Sequence, residues 1–408
     1  MSGHSSAQRL NVMLAVGAMH GGGTERQMVQ ILRHLDRDRF APQLYLVYRT
    51  GPLLSELPAD VPVHVCEERL GRVRGYLPGR MHRLRVADYA ACLRETNAAV
   101  SYDRTFLMTL ITAAGAQKAG VPNVSTIVTN PETGFAPVAG RFQWLKRRLL
   151  RRLYNRSTRV LAVSQGARES AIRFYGIEPA RIRTQYNGID VGAIRKIAAG
   201  DPGDSWWSAD SRQGGRRVIR LVSAGRLNHE KGFHLLIESV RRLQAQDVGV
   251  EYRLALLGEG DHRQKLQSQV QQAGLSDQVR MPGFRADAAA WFRTADVFVL
   301  PSLVEGMPNV LLEAMACGTA VVSSDCPAGP SEILESGRLG VLCAVDDAGA
   351  LTAALRGVLS DERGTRERVQ EAGRVVVEKW GIESSVRRLE RILLSAAGRG
   401  EPDSPIGQ

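Results

Sequence analysis

The stretch SLVEGMPNVLLEAMACG, residues 302–318, carries two carboxylates, Glu305 and Glu313, on either side of a Gly306-Met307-Pro308-Asn309 turn. Pro308 suits the first position of a helix, because its missing amide hydrogen would have no partner there, and Gly318 suits the C-terminal cap. The pattern predicts a helix over about 308–317 whose amide-rich end favours an anion such as phosphate. Glu305 precedes that end. Glu313 lies on the helix, and helical side chains lean back toward the N-terminus, so its carboxylate approaches whatever is held there. Carboxylates repel phosphate but accept hydrogen bonds from hydroxyls. The arrangement asks for a ligand with phosphate in the middle and sugars on both sides, which is the layout of a nucleotide sugar.

Two other stretches fit that ligand. In VSAGRLNHEKGFHLLIESV, a strand ends near Gly225 and two cations, Arg226 and Lys231, follow in the loop. Fixed cations at the carboxyl end of a strand suit a diphosphate, with charge-assisted hydrogen bonds worth about 1.5–3 kcal/mol each, although two solvated surface cations would read the same way. In VGAMHGGGTERQMVQIL, Gly21, Gly22 and Gly23 close a strand and Thr24 is the expected N-cap, which leaves backbone amides free for phosphate. The spacing matches neither Gly-x-Gly-x-x-Gly nor a Walker motif, so nicotinamide or ATP binding gains little support, and a Gly-rich turn alone is commonly only a turn.

The elements that position these loops repeat one grammar twice. NVMLAVG, PQLYLVY, VPVHVC, AAVSYD, NVSTIVT and RVLAVS are β-rich runs separated by amphipathic segments such as TERQMVQILRHL. The pattern restarts near residue 217 with RVIRLVSAG, YRLALLG, VFVLPS, AVVSSD and GVLCAV. Such alternation predicts two α/β domains, each a doubly wound parallel sheet with ligand loops at the carboxyl ends of its strands. The Gly-, Asp- and Ser-rich segment AAGDPGDSWWSADSRQGGRR between them reads as a connector.

Composition narrows the setting. The 408 residues are 44% hydrophobic and 24% charged, which fits a globular protein of two domains. No apolar run approaches the ~20 residues of a membrane-spanning helix, and the first ten residues lack a secretory layout, so a cytoplasmic location is expected. Five cysteines with no Cys-x-x-Cys pair suggest thiols rather than a disulfide framework or zinc knuckle. The net charge of +12 sits entirely in the first half: residues 1–190 hold 27 Lys and Arg against 14 Asp and Glu. A basic face attracts nucleic acid, anionic lipid or phosphorylated substrate. Only 6% aromatic content and no nucleic-acid motif argue against the first.

GRLNHEKG, LLGEGDHRQKL, VRMPGF, ADVFVLPSLVEGMPNVLLEAMACGTAVVSSD, GPSEIL and YNGID together resemble the retaining glycosyltransferases of family four, including a Glu-x7-Glu element. The likeness is strong from Arg220 to about Leu359 and looser before Tyr186. It implies the GT-B fold of two facing Rossmann-like domains, and transfer of a sugar from a nucleoside diphosphate to a hydroxyl with retained configuration, generally without a metal or other cofactor. By the same resemblance Arg226 and Lys231 hold the donor diphosphate and Glu313 the ribose. Glu305 lies at the transferred sugar beside the Gly306, Met307, Pro308 and Asn309 backbone. Gly22 and Gly23 close over the donor, and Phe284 and Arg285 lie near the base. Many relatives carry a histidine in the first domain where this chain reads STIVTNPETG, and Asn130 is the candidate to replace it. The implied organisation is an acceptor-side, membrane-facing domain over 1–190, a connector over 191–216 and a donor domain over 217–375. A helix over 376–398 would return to the first domain, leaving a tail at 399–408.

Weaker signals remain. Asp36-x-Asp38 has the spacing that metal-dependent glycosyltransferases use, but it follows the first helix and is flanked by arginines, so a solvated turn is the better reading. His229 and His234 lack a helical metal-ligand spacing. In GRFQWLKRRLLRRLYNRS, Phe142, Leu145, Leu149 and Leu153 form one helical stripe, while Arg147, Arg148, Arg151 and Arg152 spread over the other side. That helix suits an anionic membrane surface, with a core-packed helix as the alternative. The expectation is therefore a peripheral enzyme at the inner face of the cytoplasmic membrane of a bacterium. It would move a UDP-hexose or UDP-N-acetylhexosamine sugar to a lipid-linked, polysaccharide or lipopolysaccharide acceptor. A nucleotide-sugar epimerase and a non-catalytic nucleotide-sugar-binding subunit are the alternatives.

Overall fold

The computed structural model describes residues 9–72, 79–208, 212–213 and 215–399. Contacts divide the chain into two units, one reaching Gly188 and resuming at Ile382, the other Ile189–Gly381. In the first, β1 (Leu10–Val16), β2 (Phe40–Leu46), β3 (Val63–Val65), β4 (Val100–Arg104), β5 (Asn123–Ile127), β6 (Arg159–Ala162) and β7 (Ile182–Thr184) form a parallel sheet in the order β3-β2-β1-β4-β5-β6-β7. All five residues of β4 and of β5 are buried, as central strands covered on both faces require. One face packs Leu10, Val12, Leu14 and Tyr102 against Met28 and Leu32 of the helix Gly23–His34 and Val386, Leu389 and Leu393 of the helix Ile382–Ala396. The other face is partly polar. There the Asp103 carboxylate accepts from Thr109 (2.6 Å), Ser125 (2.8 Å) and Asn123 (3.2 Å). Burial pushes this carboxyl upward in pKa and those hydrogen bonds oppose the shift.

The second unit begins its sheet with the short β8 (Arg212–Gln213), which pairs antiparallel with β9 (Arg216–Ala224). With β10 (Val250–Leu257), β11 (Val279–Gly283), β12 (Val297–Leu300), β13 (Ala320–Ser324) and β14 (Val341–Cys343), the parallel order is β11-β10-β9-β12-β13-β14. Its core joins Leu221, Leu254, Val299 and Val322 to Leu236, Ile237 and Val240 of the helix Phe233–Gln246 and to Leu351 and Leu355 of the helix Ala348–Ser360. In each sheet the strand order reverses once, between β1 and β4 and between β9 and β12. Loops diverge there, and α/β sheets place their ligands at such points.

Two expectations on chain organisation change. The segment 191–216 is more than a connector: it carries helices Val191–Ala198 and Ser205–Ser208, and Trp207 is fully buried. The Trp207 indole donates to Thr294 at 2.8 Å and its ring lies 5.1 Å from that of Trp291, so burial of a large aromatic anchors the segment to the second unit. The helix expected over 376–398 is two helices, Glu362–Trp380 in the second unit and Ile382–Ala396 in the first, separated at Gly381, whose φ of −63° and ψ of 141° are extended. The tail at 400–408 lies outside the described residues.

Candidate functional site

The reversal between β9 and β12 collects the strongest candidates. Gly225 donates to Leu257 after β9, and close-packed glycines hold the loop in place. A Cβ on Gly258 would sit 2.0 Å from the Gly225 carbonyl oxygen, and one on Gly232, where φ is +65°, 2.0 Å from that of Pro301. This second approach brings the single turn His229–Lys231 against the end of β12. Lys231 Nζ then donates to Glu305 Oε1 at 2.5 Å, and Ser302 Oγ donates to the same oxygen at 2.7 Å. Glu305 is 9% exposed, whereas the Lys231 side chain is 24% exposed. An ammonium has three donors, so Lys231 keeps hydrogens for a second, anionic partner. Arg226 is exposed and makes no side-chain hydrogen bond or ion pair among the described residues.

The helix of the turn runs Asn309–Ala316, with Pro308 as N-cap and Cys317 as C-cap, one residue shorter at each end than expected. Pro308 has ψ of 93°, outside the helical range, so it closes the turn rather than opening the helix; Gly318 follows the C-cap at φ +76°. No side chain caps the N-terminus and its first turn holds no acid, so its positive end is not offset from within the helix. Glu313 is half-buried on this helix. It adds to the burial that pushes the Cys317 thiol up to about 12. The Gly306, Met307, Pro308 and Asn309 turn is braced by Gly329, at φ +93°, where a Cβ would meet Pro308 Cδ at 2.6 Å.

Phe284 is 56% exposed after β11. Arg285 is engaged, pairing with Asp287 at 2.6 Å and donating to the Pro202 carbonyl at 2.9 Å. In the first unit Gly22, not Thr24, is the N-cap of the helix Gly23–His34, and space around a Cβ on Gly23 is open. Asn130 is 3% exposed and caps the helix Pro131–Ala139: its Oδ1 accepts from the Glu132 amide at 3.0 Å and from Ser170 Oγ at 2.5 Å. Asp36 accepts from the Asp38 amide at 2.9 Å in a turn, and no group of three or more His, Cys, Asp or Glu side chains that could hold a metal ion occurs among the described residues.

The basic helix runs Gln143–Tyr154 and buries Leu150, Leu153 and Tyr154. The expected stripe is therefore split: Leu153 faces the core, while Phe142, Leu145 and Leu149 are exposed, with Trp144 at 68%. Arg148, Arg151 and Arg152 line a shallow hollow with Asn155 and Arg156. Arg147 instead lies 4.2 Å from the Phe174 ring centroid and donates to the Phe174 carbonyl at 2.8 Å.

Sequence reasoning missed Ser302, which fixes the Glu305 carboxylate, and the meeting of His262 with the His229 and His234 rings. His229 stacks on His234 at 5.2 Å and meets His262 edge-on at 5.9 Å. His229 lies in the turn His229–Lys231, His234 in the helix Phe233–Gln246 and His262 just before the helix Arg263–Gln272, so the spacing of His229 and His234 alone did not announce the group. Burial and the neighbouring His229 lower the pKa of His234.

The model for glycosyl transferases group 1 matches residues 213–376, and that for glycosyltransferase family 4 matches residues 21–192. WcaL of Salmonella typhimurium, provisionally assigned as a colanic acid biosynthesis glycosyltransferase, is 32% identical over 54% of this chain and 53% of its own length. The N-acetylgalactosamine-N,N'-diacetylbacillosaminyl-diphospho-undecaprenol 4-alpha-N-acetylgalactosaminyltransferase of Campylobacter jejuni is 28% identical over 53% of this chain and 54% of its own. The chain thus spans about half the length of these curated relatives. Among solved structures, Anabaena Alr3699/HepE in complex with UDP and glucose superposes with a TM-score of 0.77 at 22% identity, covering 95% of this chain and 100% of that one. Two family models that between them take in both units, with a whole-chain match in fold, make this chain a member of the group 1 glycosyltransferases with the GT-B fold.

Proposed function

We propose that the chain is a retaining glycosyltransferase that moves a sugar from a nucleoside-diphosphate sugar, a UDP-hexose or UDP-N-acetylhexosamine, to a hydroxyl of a lipid-linked or surface-polysaccharide glycan. The observation that carries the reading is the Lys231–Glu305 pair at the uncapped amide end of the helix Asn309–Ala316. A departing diphosphate develops charge as the glycosidic bond breaks, and in this reading Lys231, Arg226 and the N-terminal end of the helix Asn309–Ala316 take it. The sugar left behind has oxocarbenium character, which the sheltered Glu305 carboxylate stabilises. Glu313 accepts hydrogen bonds from the ribose hydroxyls. Support for the donor comes from the HepE structures, which hold UDP and UDP-glucose, and for the acceptor from the diphospho-undecaprenol in the Campylobacter enzyme's name.

The exposed Phe142, Trp144, Leu145 and Leu149 beside Arg148, Arg151 and Arg152 support docking on an anionic membrane, with apolar side chains entering the interface between basic flanks. No helix among the described residues is long and apolar enough to cross a membrane. The test of the whole reading is to mix purified protein with bacterial membranes and a panel of nucleotide sugars. Nucleotide release that depends on membranes, with a product whose anomeric configuration matches the donor, is expected. Inverted product overturns the retaining step, and release without acceptor points to a nucleotide-sugar epimerase.

A further inference from the structure

The reversal of strand order in the first unit holds a cation in a different condition from Lys231. Arg104, the last residue of β4, is 4% exposed. Its guanidinium donates to Tyr102 OH at 3.1 Å and to Asn187 Oδ1 at 2.8 Å, and its Nε has no partner. Neither acceptor is charged, and Arg104 has no carboxylate partner among the described residues. Asp103 is the preceding residue on the strand, so it faces the opposite side of the sheet. The contrast with Arg253 is direct, since that arginine is 2% exposed but has Glu251 at 2.7 Å. A desolvated cation without a counter-ion is costly, and such groups are retained where an anion completes them.

A second orphan lies beside the first. Thr126 on β5 is the register partner of Arg104, is 1% exposed, and its Oγ1 has no hydrogen-bond partner. Two buried donors therefore stand unmet on adjacent strands at the carboxyl ends of the sheet. Thr105, which follows Arg104, has φ of +81° and ψ of 143°, a conformation that a β-branched residue adopts only under constraint. Asn187 holds the guanidinium from the neighbouring segment, and Gln27 donates to the adjacent Gly188 carbonyl at 2.8 Å, so the surroundings are fixed from two further elements.

We propose that Arg104 and Thr126 form an anion site in the first unit that receives a phosphate group of the acceptor, separate from the donor diphosphate site at Arg226 and Lys231. This rests on the reading that the first unit takes the acceptor, but its test needs no turnover, so failure of the site and failure of that reading are distinguishable. Inorganic phosphate and UDP serve as probes, with thermal unfolding of the full chain as readout. In Lys231→Ala, which weakens the donor site, phosphate should still raise the unfolding temperature. Adding Arg104→Met to that background should weaken the apparent phosphate affinity at least about tenfold, and Thr126→Val, which is isosteric, several-fold. In the otherwise unaltered chain both substitutions should leave UDP stabilisation within about twofold. Arg104→Met without ligand should unfold no lower than the original, because it removes an uncompensated buried charge. A phosphate response unchanged by Arg104→Met and Thr126→Val overturns the proposal, as does loss of UDP binding in either. Should Arg104→Met not fold, the Thr126→Val titration decides alone.

Discussion

The two places where strand order reverses are built alike and charged differently. Between β9 and β12 the cation Lys231 is partly open and already neutralised by Glu305, while between β1 and β4 the cation Arg104 is buried and lacks a counter-ion. A paired, accessible lysine can release or share its carboxylate as a ligand arrives, and the carboxylate so freed stays beside the ligand. An unpaired, buried arginine can only hold. On the proposed reading, the difference separates a point where charge must be moved, as bond breaking requires, from one where charge is merely recognised.

The sharpest way to break that comparison is at Glu305. Glu305→Gln should lower kcat by about 100-fold or more while nucleotide affinity holds or tightens, since Lys231 is released. Steady-state rates beside nucleotide titration would show this; equal loss in both would move Glu305 out of the reaction centre. Next in size is Gly232→Ala, which forces a Cβ against the Pro301 carbonyl at positive φ and should destabilise the second unit by more than about 1 kcal/mol in chemical unfolding.

Asn130→Ala should cost about 1 kcal/mol through loss of the helix cap. If it also lowers kcat by far more than that destabilisation explains, Asn130 touches the substrate and the first unit does more than hold. Smallest is membrane binding. Trp144→Ser with Leu149→Ser should weaken sedimentation with anionic vesicles several-fold, whereas Arg147→Ala, already folded onto Phe174, should change it little. Equal effects would return the contact to a purely basic face.

Much of this was legible from residue order alone. The β-rich runs from NVMLAVG to GVLCAV each contain a strand, because buried parallel strands are apolar and β-branched. β7, β8 and β11 escaped: the first is three residues with a central arginine, the second only two residues in the segment read as a connector, and the third carries Pro282 and Gly283 at the sheet edge. In the site, the loop residues around Glu305 and Lys231 were named, but their mutual pairing was not, since it depends on the approach of Gly232 to Pro301 across 69 residues. The unmet groups of Arg104 and Thr126 and the meeting of the three imidazoles were invisible for the same reason. Their meaning lies in which partners the fold supplies or withholds, and no local pattern records that.

The central claim is that Lys231 holds the diphosphate while Glu305 serves the reacting sugar. Calorimetric titration of UDP into the original chain, Lys231→Ala and Glu305→Gln tests it most directly. Lys231→Ala should bind at least about tenfold more weakly, matching the loss of one charge-assisted hydrogen bond, and Glu305→Gln should bind no more weakly than the original. Undiminished affinity in Lys231→Ala, or an equal loss in Glu305→Gln, would contradict the account.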